Sequence, residues 1–155
     1  MHQKHYFSLL GSLSLAIAGW IALPLYAQST TSLNVVFKDL RSSDGQVCLN
    51  LFSGPKGFPQ GGAESNLAMS RCAPVANGVA SVMLSDLPPG QYAISAYHDA
   101  NNDGQMNKGA FGIPEEGFGF SNNPTIGFSA PTFDETQFQV SGSQSEVLIQ
   151  LRYLN

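Results

Sequence analysis

The chain is short of the residues that would make several functions easy to recognise. Only 12% of its 155 residues are charged, and its seven lysines and arginines never cluster. That argues against nucleic acid and anionic membrane surfaces as partners, because both need concentrated positive charge. Tryptophan occurs once, at Trp20. Neither a C-x-x-C pair nor a G-x-S-x-G elbow is present, which removes the simplest signatures of a redox centre and of a serine hydrolase. No apolar periodicity of ordinary helical length occurs, and no internal repeat.

The first 27 residues differ from the rest. Lys4 and His5 give a weakly basic start, Phe7 to Leu23 is mostly apolar, and Leu25-Tyr26-Ala27 ends on a small residue. This reads as a cleaved export signal, with residues 28–155 as the mature domain. A membrane anchor is the alternative. The apolar stretch is near the lower length for a span, and the polar Gln28-Ser-Thr-Thr-Ser32 follows with no basic stop-transfer cluster. The expected location is therefore the periplasm or the exterior, with no stable membrane insertion after cleavage. Losing Lys4 leaves six basic side chains against eleven acids, a formal charge of about −5.

Both cysteines, Cys48 and Cys72, lie in the mature part. In an oxidising compartment one disulfide is expected, with two separate thiols as the alternative. The bridge would contribute roughly 3 kcal/mol by restricting the unfolded chain.

Alternating apolar and polar positions predict strands over 32–40, 46–52, 78–85, 91–98, 132–140 and 146–154. The first two read as a hairpin across the Ser42-Ser-Asp-Gly45 turn. Residues 53–77 read as irregular, with a short helical turn in Ala63-Glu-Ser-Asn-Leu-Ala-Met-Ser70. The expected architecture is all-β: a single Greek-key β-sandwich of prealbumin-like or immunoglobulin-like kind, with about seven strands and one long glycine-rich loop over 99–131. A loop of that length calls for a function or a fold of its own.

Chemistry concentrates at the start of that loop. Asp99-Ala-Asn-Asn-Asp-Gly-Gln-Met-Asn107 places oxygen-bearing side chains at alternate positions with a glycine at the sixth, like the front of a calcium loop. Asp99, Asn101 and Asp103 would bind directly, Gln105 through its main-chain carbonyl, and Asn107 directly or through water. The twelfth position, normally a bidentate glutamate, is Ala110. Glu115 and Glu116 follow shortly after and could turn back to complete the oxygen set. The competing reading is a plain Asn-Asp-Gly turn in which these side chains cap their own backbone. A catalytic metal is not expected, because calcium lowers the pKa of bound water poorly.

Other candidates carry less. His98 is adjacent to Asp99, yet neighbours on a strand point to opposite faces. A structural hydrogen bond suits it better than general acid–base work. Glu115 and Glu116 are adjacent and so ill placed to flank a glycosidic bond. Phe111, Phe118, Phe120, Phe128, Tyr92 and Tyr97 read as packing for the loop, with a sugar-binding platform as the alternative.

Three segments together are distinctive: Leu87-Pro-Pro-Gly-Gln-Tyr92, Ala96-Tyr-His-Asp-Ala-Asn-Asn-Asp-Gly104 and Gly112-Ile-Pro-Glu-Glu-Gly-Phe-Gly-Phe-Ser-Asn122. They resemble the bacterial domain-of-unknown-function family DUF2141 over residues 33–153. The first segment is also similar to turns of transthyretin-like sandwiches. The resemblance implies an exported β-sandwich of that general kind, and it carries no established activity. The family's H-D-x-N-x-D-G motif falls on Asp99, Asn101, Asp103 and Gly104. Its second motif falls on Gly112, Pro114, Glu116, Gly117, Gly119, Phe120, Ser121 and Asn122. Here Gly117 and Gly119 would permit positive φ around Phe118.

The functional expectation is an exported, non-catalytic sandwich module, structural or ligand- or protein-binding, with a calcium-stabilised loop. A glycan- or peptide-binding accessory domain and a hydrolase using His98 with a nearby carboxylate are the alternatives.

Overall fold

A computed structural model describes residues 30–154. The expected export signal lies outside the described residues. Eight strands form two facing sheets: β1 (Thr31–Lys38), β2 (Gln46–Phe52), β3 (Leu67–Pro74), β4 (Ala80–Leu87), β5 (Gly90–Asp99), β6 (Phe118–Phe120), β7 (Phe138–Val140) and β8 (Gln144–Gln150). One helical turn, α1 (Phe133–Thr136), and a 3-10 turn at Ala110–Gly112 interrupt the long loops. Among the described residues no helix is long and apolar enough to cross a membrane.

The smaller sheet has the order β4-β1-β8, and the larger runs β3-β2-β5-β6, with β7 paired to the start of β5. β1 lies antiparallel to β4 and parallel to β8. Its alternation works as the pleat requires. Thr31, Leu33, Val35 and Phe37 are buried and the residues between them are not. Leu33, Val35 and Phe37 meet Val47, Leu49 and Leu51 of β2, Ile94 of β5 and Ile149 of β8 in the core between the sheets. Each such side chain contributes about 1.5–3 kcal/mol by leaving water.

The larger sheet is covered on its outer face too. Phe52, Ala93 and Phe133 form a second cluster with Phe58. Phe58 lies 5.1 Å from Phe52, 6.1 Å from Phe133 and 6.2 Å from Phe120, ring centre to ring centre. Ser95 Oγ donates to the Pro59 carbonyl at 2.7 Å, fastening the 53–66 loop over this face. This is why β5 is buried on both sides from Tyr92 to Ala96.

Several expectations need correction. β1 and β2 are not a hairpin, because the turn at 42–45 carries the chain from one sheet to the other. Residues 67–74 are strand, not a helical turn. β3 is an edge strand, exposed almost throughout, so it needs no apolar period. It pairs with β2 so that Cys48 faces Cys72, and the two are joined by a disulfide with an S–S distance of 2.01 Å. The segment 132–140 opens as helix. Thr132 caps it reciprocally with Glu135: the Thr132 amide donates to Glu135 Oε2 at 2.7 Å and the Glu135 amide to Thr132 Oγ1 at 3.3 Å. Only Phe138–Val140 is strand.

Gly117 and Gly119 do not take positive φ. Their need is close approach. A Cβ on Gly117 would stand 2.3 Å from the Tyr153 ring, and one on Gly119 2.8 Å from the Gln150 carbonyl. After them, Ser121-Asn122-Asn123 stitches three elements together. Ser121 Oγ accepts the Ile94 amide at 2.9 Å and donates to the Thr136 carbonyl at 2.6 Å. Asn122 Nδ2 donates to the Gln137 carbonyl at 2.7 Å. The Asn123 amide side chain serves the edge of β8 like a strand partner. It donates to the Leu148 carbonyl at 2.9 Å and accepts the Gln150 amide at 2.7 Å.

Candidate functional site

The Asp99–Asn107 loop leaves the end of β5, and its side chains turn inward on their own backbone. Asp99 is wholly buried. Its Oδ1 accepts the Asp103 amide at 3.0 Å, and its Oδ2 accepts the Gly104 amide at 3.0 Å and Gln46 Nε2 at 2.9 Å. Asn101 Oδ1 accepts the Asp103 amide at 3.1 Å, and Asp103 Oδ1 accepts the Gln105 amide at 2.8 Å. Gly104 takes φ 76°, the left-handed conformation that the sixth position of such a loop demands. Gln46 has no local signal in sequence. Its role follows from the register that sets it opposite Asp99.

At the loop's mouth three side chains close a triangle. Asn101 Nδ2 donates to Asp103 Oδ2 at 3.0 Å and to Asn107 Oδ1 at 3.3 Å, and Asn107 Nδ2 donates to Asp103 Oδ2 at 3.2 Å. The Gln105 amide, followed by the two asparagine amides, holds the Asp103 carboxyl below the usual aspartate pKa. Burial raises the Tyr97 hydroxyl above its usual range, and the carboxylates of Asp99, Glu116 and Asp103 add to that shift.

The two glutamates part company. Glu116 turns back, with Oε1 accepting the Ala100 amide at 3.1 Å and Oε2 the Asn107 amide at 3.0 Å. One carboxylate thus ties the beginning of the loop to its end. Glu115 gives its backbone amide to the Asn107 carbonyl at 3.0 Å, and its side chain lies against Gly109, where a Cβ would stand 2.6 Å from Oε1.

The oxygen-rich donor set suits a hard cation in kind. In arrangement it is wired to backbone amides. Among the described residues no three His, Cys, Asp or Glu side chains are grouped to hold a metal.

His98 is buried and fully engaged. Its Nε2 lies 2.8 Å from the Asp44 carbonyl, which can only accept, so that nitrogen carries the proton. Its Nδ1 lies 2.7 Å from Tyr153 Oη and accepts from it in the neutral ring. Tyr153 Oη also accepts the Arg41 amide at 3.1 Å, while the Arg41 guanidinium stacks 4.2 Å above the tyrosine ring. Neither ring nitrogen meets a carboxylate. The histidine anchors the tail after β8 to the turn before β2.

Beside the loop, on the outer face of the larger sheet, lies a groove of about 830 Å³. Asn50, Ser95 and Tyr97 belong to its floor with the Cys48–Cys72 bridge. Gln105, Met106, Lys108 and Pro114 form the wall supplied by the first half of the long loop, Ile126 and Phe128 contribute from its second half, and Pro59 from the 53–66 loop. The six aromatics divide: Tyr92, Phe118 and Phe120 are buried, Tyr97 is half-buried, and Phe111 and Phe128 stand fully exposed. Of that exposed pair, Phe128 lines the groove. Sequence reading missed the groove because its parts come from distant segments. His98 is not among the lining residues.

Comparison with protein families finds one described as "Uncharacterized protein conserved in bacteria (DUF2141)", whose model matches residues 35–148. No curated protein and no solved structure matches the chain.

Proposed function

The chain belongs to the DUF2141 family, and from that premise we propose that it is an exported, non-catalytic binding module whose calcium-type loop shapes one wall of a ligand groove. The observation that carries this reading is the shared use of the loop. The Asp99–Asn107 turn and its continuation to Pro114 supply a whole side of the groove. A volume of about 830 Å³ falls within the range of small-ligand sites. The export part rests on the Met1–Ala27 segment and on a disulfide that persists in oxidising compartments.

Calcium enters through the triangle at the loop's mouth. The Asn101 Nδ2 group, with its partial positive charge, sits between Asp103 Oδ2 and Asn107 Oδ1. A cation taking its place would draw on those two oxygens, on the Gln105 carbonyl and on water. Asp99 and Glu116 would hold the backbone around it, with Glu115 beside them at the loop's exit. A bound calcium would supply rigidity and positive charge. With so few protein carboxylates in direct contact, binding in the weak, extracellular range is expected.

The test is calcium titration of the chelator-stripped protein, followed by calorimetry and by amide NMR. The expected result is heat at up to millimolar calcium, a rise in Tm, and shifts at Gly104 to Lys108 accompanied by shifts at Tyr97 and Phe118. No heat and no rise in Tm sinks the calcium part. Shifts confined to the loop would make it a structural clip with no bearing on the groove. Asp103→Ala should abolish any response.

A further inference from the structure

We propose that the groove takes a small amphiphilic anion: an apolar chain lying against Met106, Ile126 and Phe128 with a terminal carboxylate at Lys108. This rests on the binding-module reading and adds the ligand's chemistry to it.

The first argument is charge. The chain is acidic, with eleven Asp and Glu against seven Lys and Arg. The groove inverts that balance: Lys108 lines it, and no aspartate or glutamate does. The ion pair formed among the described residues joins Lys56 to Glu64, so Lys108 has no carboxylate partner there. Of the nearby acids, Glu115 lays its side chain against Gly109, and the other two are taken up within the loop. Asp103 turns to the Gln105 amide and the two asparagines, and Glu116 turns to the Ala100 and Asn107 amides. An exposed lysine at the rim of a largely apolar groove suits a ligand with one negative end.

The second argument is surface. Phe128 is fully exposed, with Met106 and Ile126 half-buried along the same groove and Tyr97 beneath. Apolar surface gathered in a concave site marks a place that something apolar covers. Apart from Lys108, the polar side chains of the groove, Asn50, Gln60 and Ser70 among them, are neutral.

The test uses decanoate, decan-1-ol and decylammonium, which share a chain and differ at the end, titrated into the full protein by calorimetry and amide NMR. Decanoate should bind one-to-one, with shifts at Ser95, Tyr97 and Lys108, about tenfold tighter than the alcohol, and decylammonium should bind weakest. Octanoate should bind roughly fifteenfold more weakly than decanoate, at about fourfold per buried methylene. Lys108→Met should bring decanoate and decanol within about twofold of each other, while Phe128→Ser should weaken both alike. Lys108 and Phe128 are exposed, so unchanged thermal melts will confirm that both variants fold.

Equal affinity for the three head groups, or a preference that survives Lys108→Met, overturns the proposal. If chitotetraose or tetra-alanine shifts the groove amides and decanoate does not, this ligand class is wrong and the binding-module reading stands. If none of these probes shifts them, both fail.

Discussion

Replacing Glu116 by alanine isolates the one side chain that holds both ends of the loop. The change deletes two bonds from a carboxylate, to the Ala100 amide at 3.1 Å and to the Asn107 amide at 3.0 Å. Buried bonds to an ionised acceptor are worth about 1.5–3 kcal/mol each. Here Ala100 is exposed and Asn107 half-buried, so both amides regain water once the carboxylate is gone. The expected loss is at the low end, about 1–2 kcal/mol for the pair. For a domain of this size that lowers Tm by about 3–8 °C.

The sharper assay is native-state hydrogen exchange. Protection at Ala100 and Asn107 should fall by about tenfold for each 1.4 kcal/mol lost, while the β2–β5 ladder should change only by the global loss. Glu116→Gln should retain roughly half the effect, because its amide nitrogen must face one of the two N–H donors. Unchanged exchange at both amides, with stability within about 0.3 kcal/mol of the parent, would refute the clamp.

Other positions give independent checks. Gly45 has φ 68°, and a Cβ there would stand 2.0 Å from the Asp99 carbonyl oxygen, which is backbone and cannot swing aside. Gly45→Ala should cost about 3 kcal/mol or more in urea unfolding, and a loss below about 1 kcal/mol would contradict the close approach. Tyr153→Phe leaves His98 Nδ1 without its partner and should cost about 1–3 kcal/mol, with a change in the imidazole nitrogen shifts. The hydroxyls of Tyr92, Tyr97 and Tyr153 are all raised, chiefly by burial. The unfolded chain therefore loses these protons first. Stability should be full below about pH 10 and fall as pH rises through the folded-state values, which urea midpoints across that range will show. A flat profile would contradict the raised values.

The fold was legible where burial is one-sided. β1 and β4 announce themselves by period, because one face of each strand meets the core and the other does not. β3 did not, since an exposed edge strand has no face to hide and its pairing is set by β2 and the disulfide. Strand partners were illegible for a related reason. The turn at 42–45 looks like a hairpin locally, yet β1 finds β4 and β8, whose apolar faces complete its own sheet. At 132–140 a four-residue capping signal outweighed strand propensity.

Within the site, the inward turn of Asp99, Asn101 and Asp103 follows from local spacing. The return of Glu116 depends on the Lys108–Pro114 bridge, which no pattern in the chain foretells. The groove was least legible of all, because spatial neighbours such as Asn50, Tyr97 and Phe128 share no sequence pattern.

The parallel pairing of β1 with β8 bears on how the chain can fold at all. Partners in that pair lie 112 residues apart, as Asn34 does from Glu146. β1 is the middle strand of its sheet, so that sheet stays incomplete until the last strand arrives. Closing so long a loop before its contacts form makes folding slow, on the millisecond-to-second scale of non-local β topologies. A nascent chain would emerge with its first strand still waiting for its last. Under the proposed export, that delay would keep the chain unfolded for a membrane channel, which a finished sandwich would block.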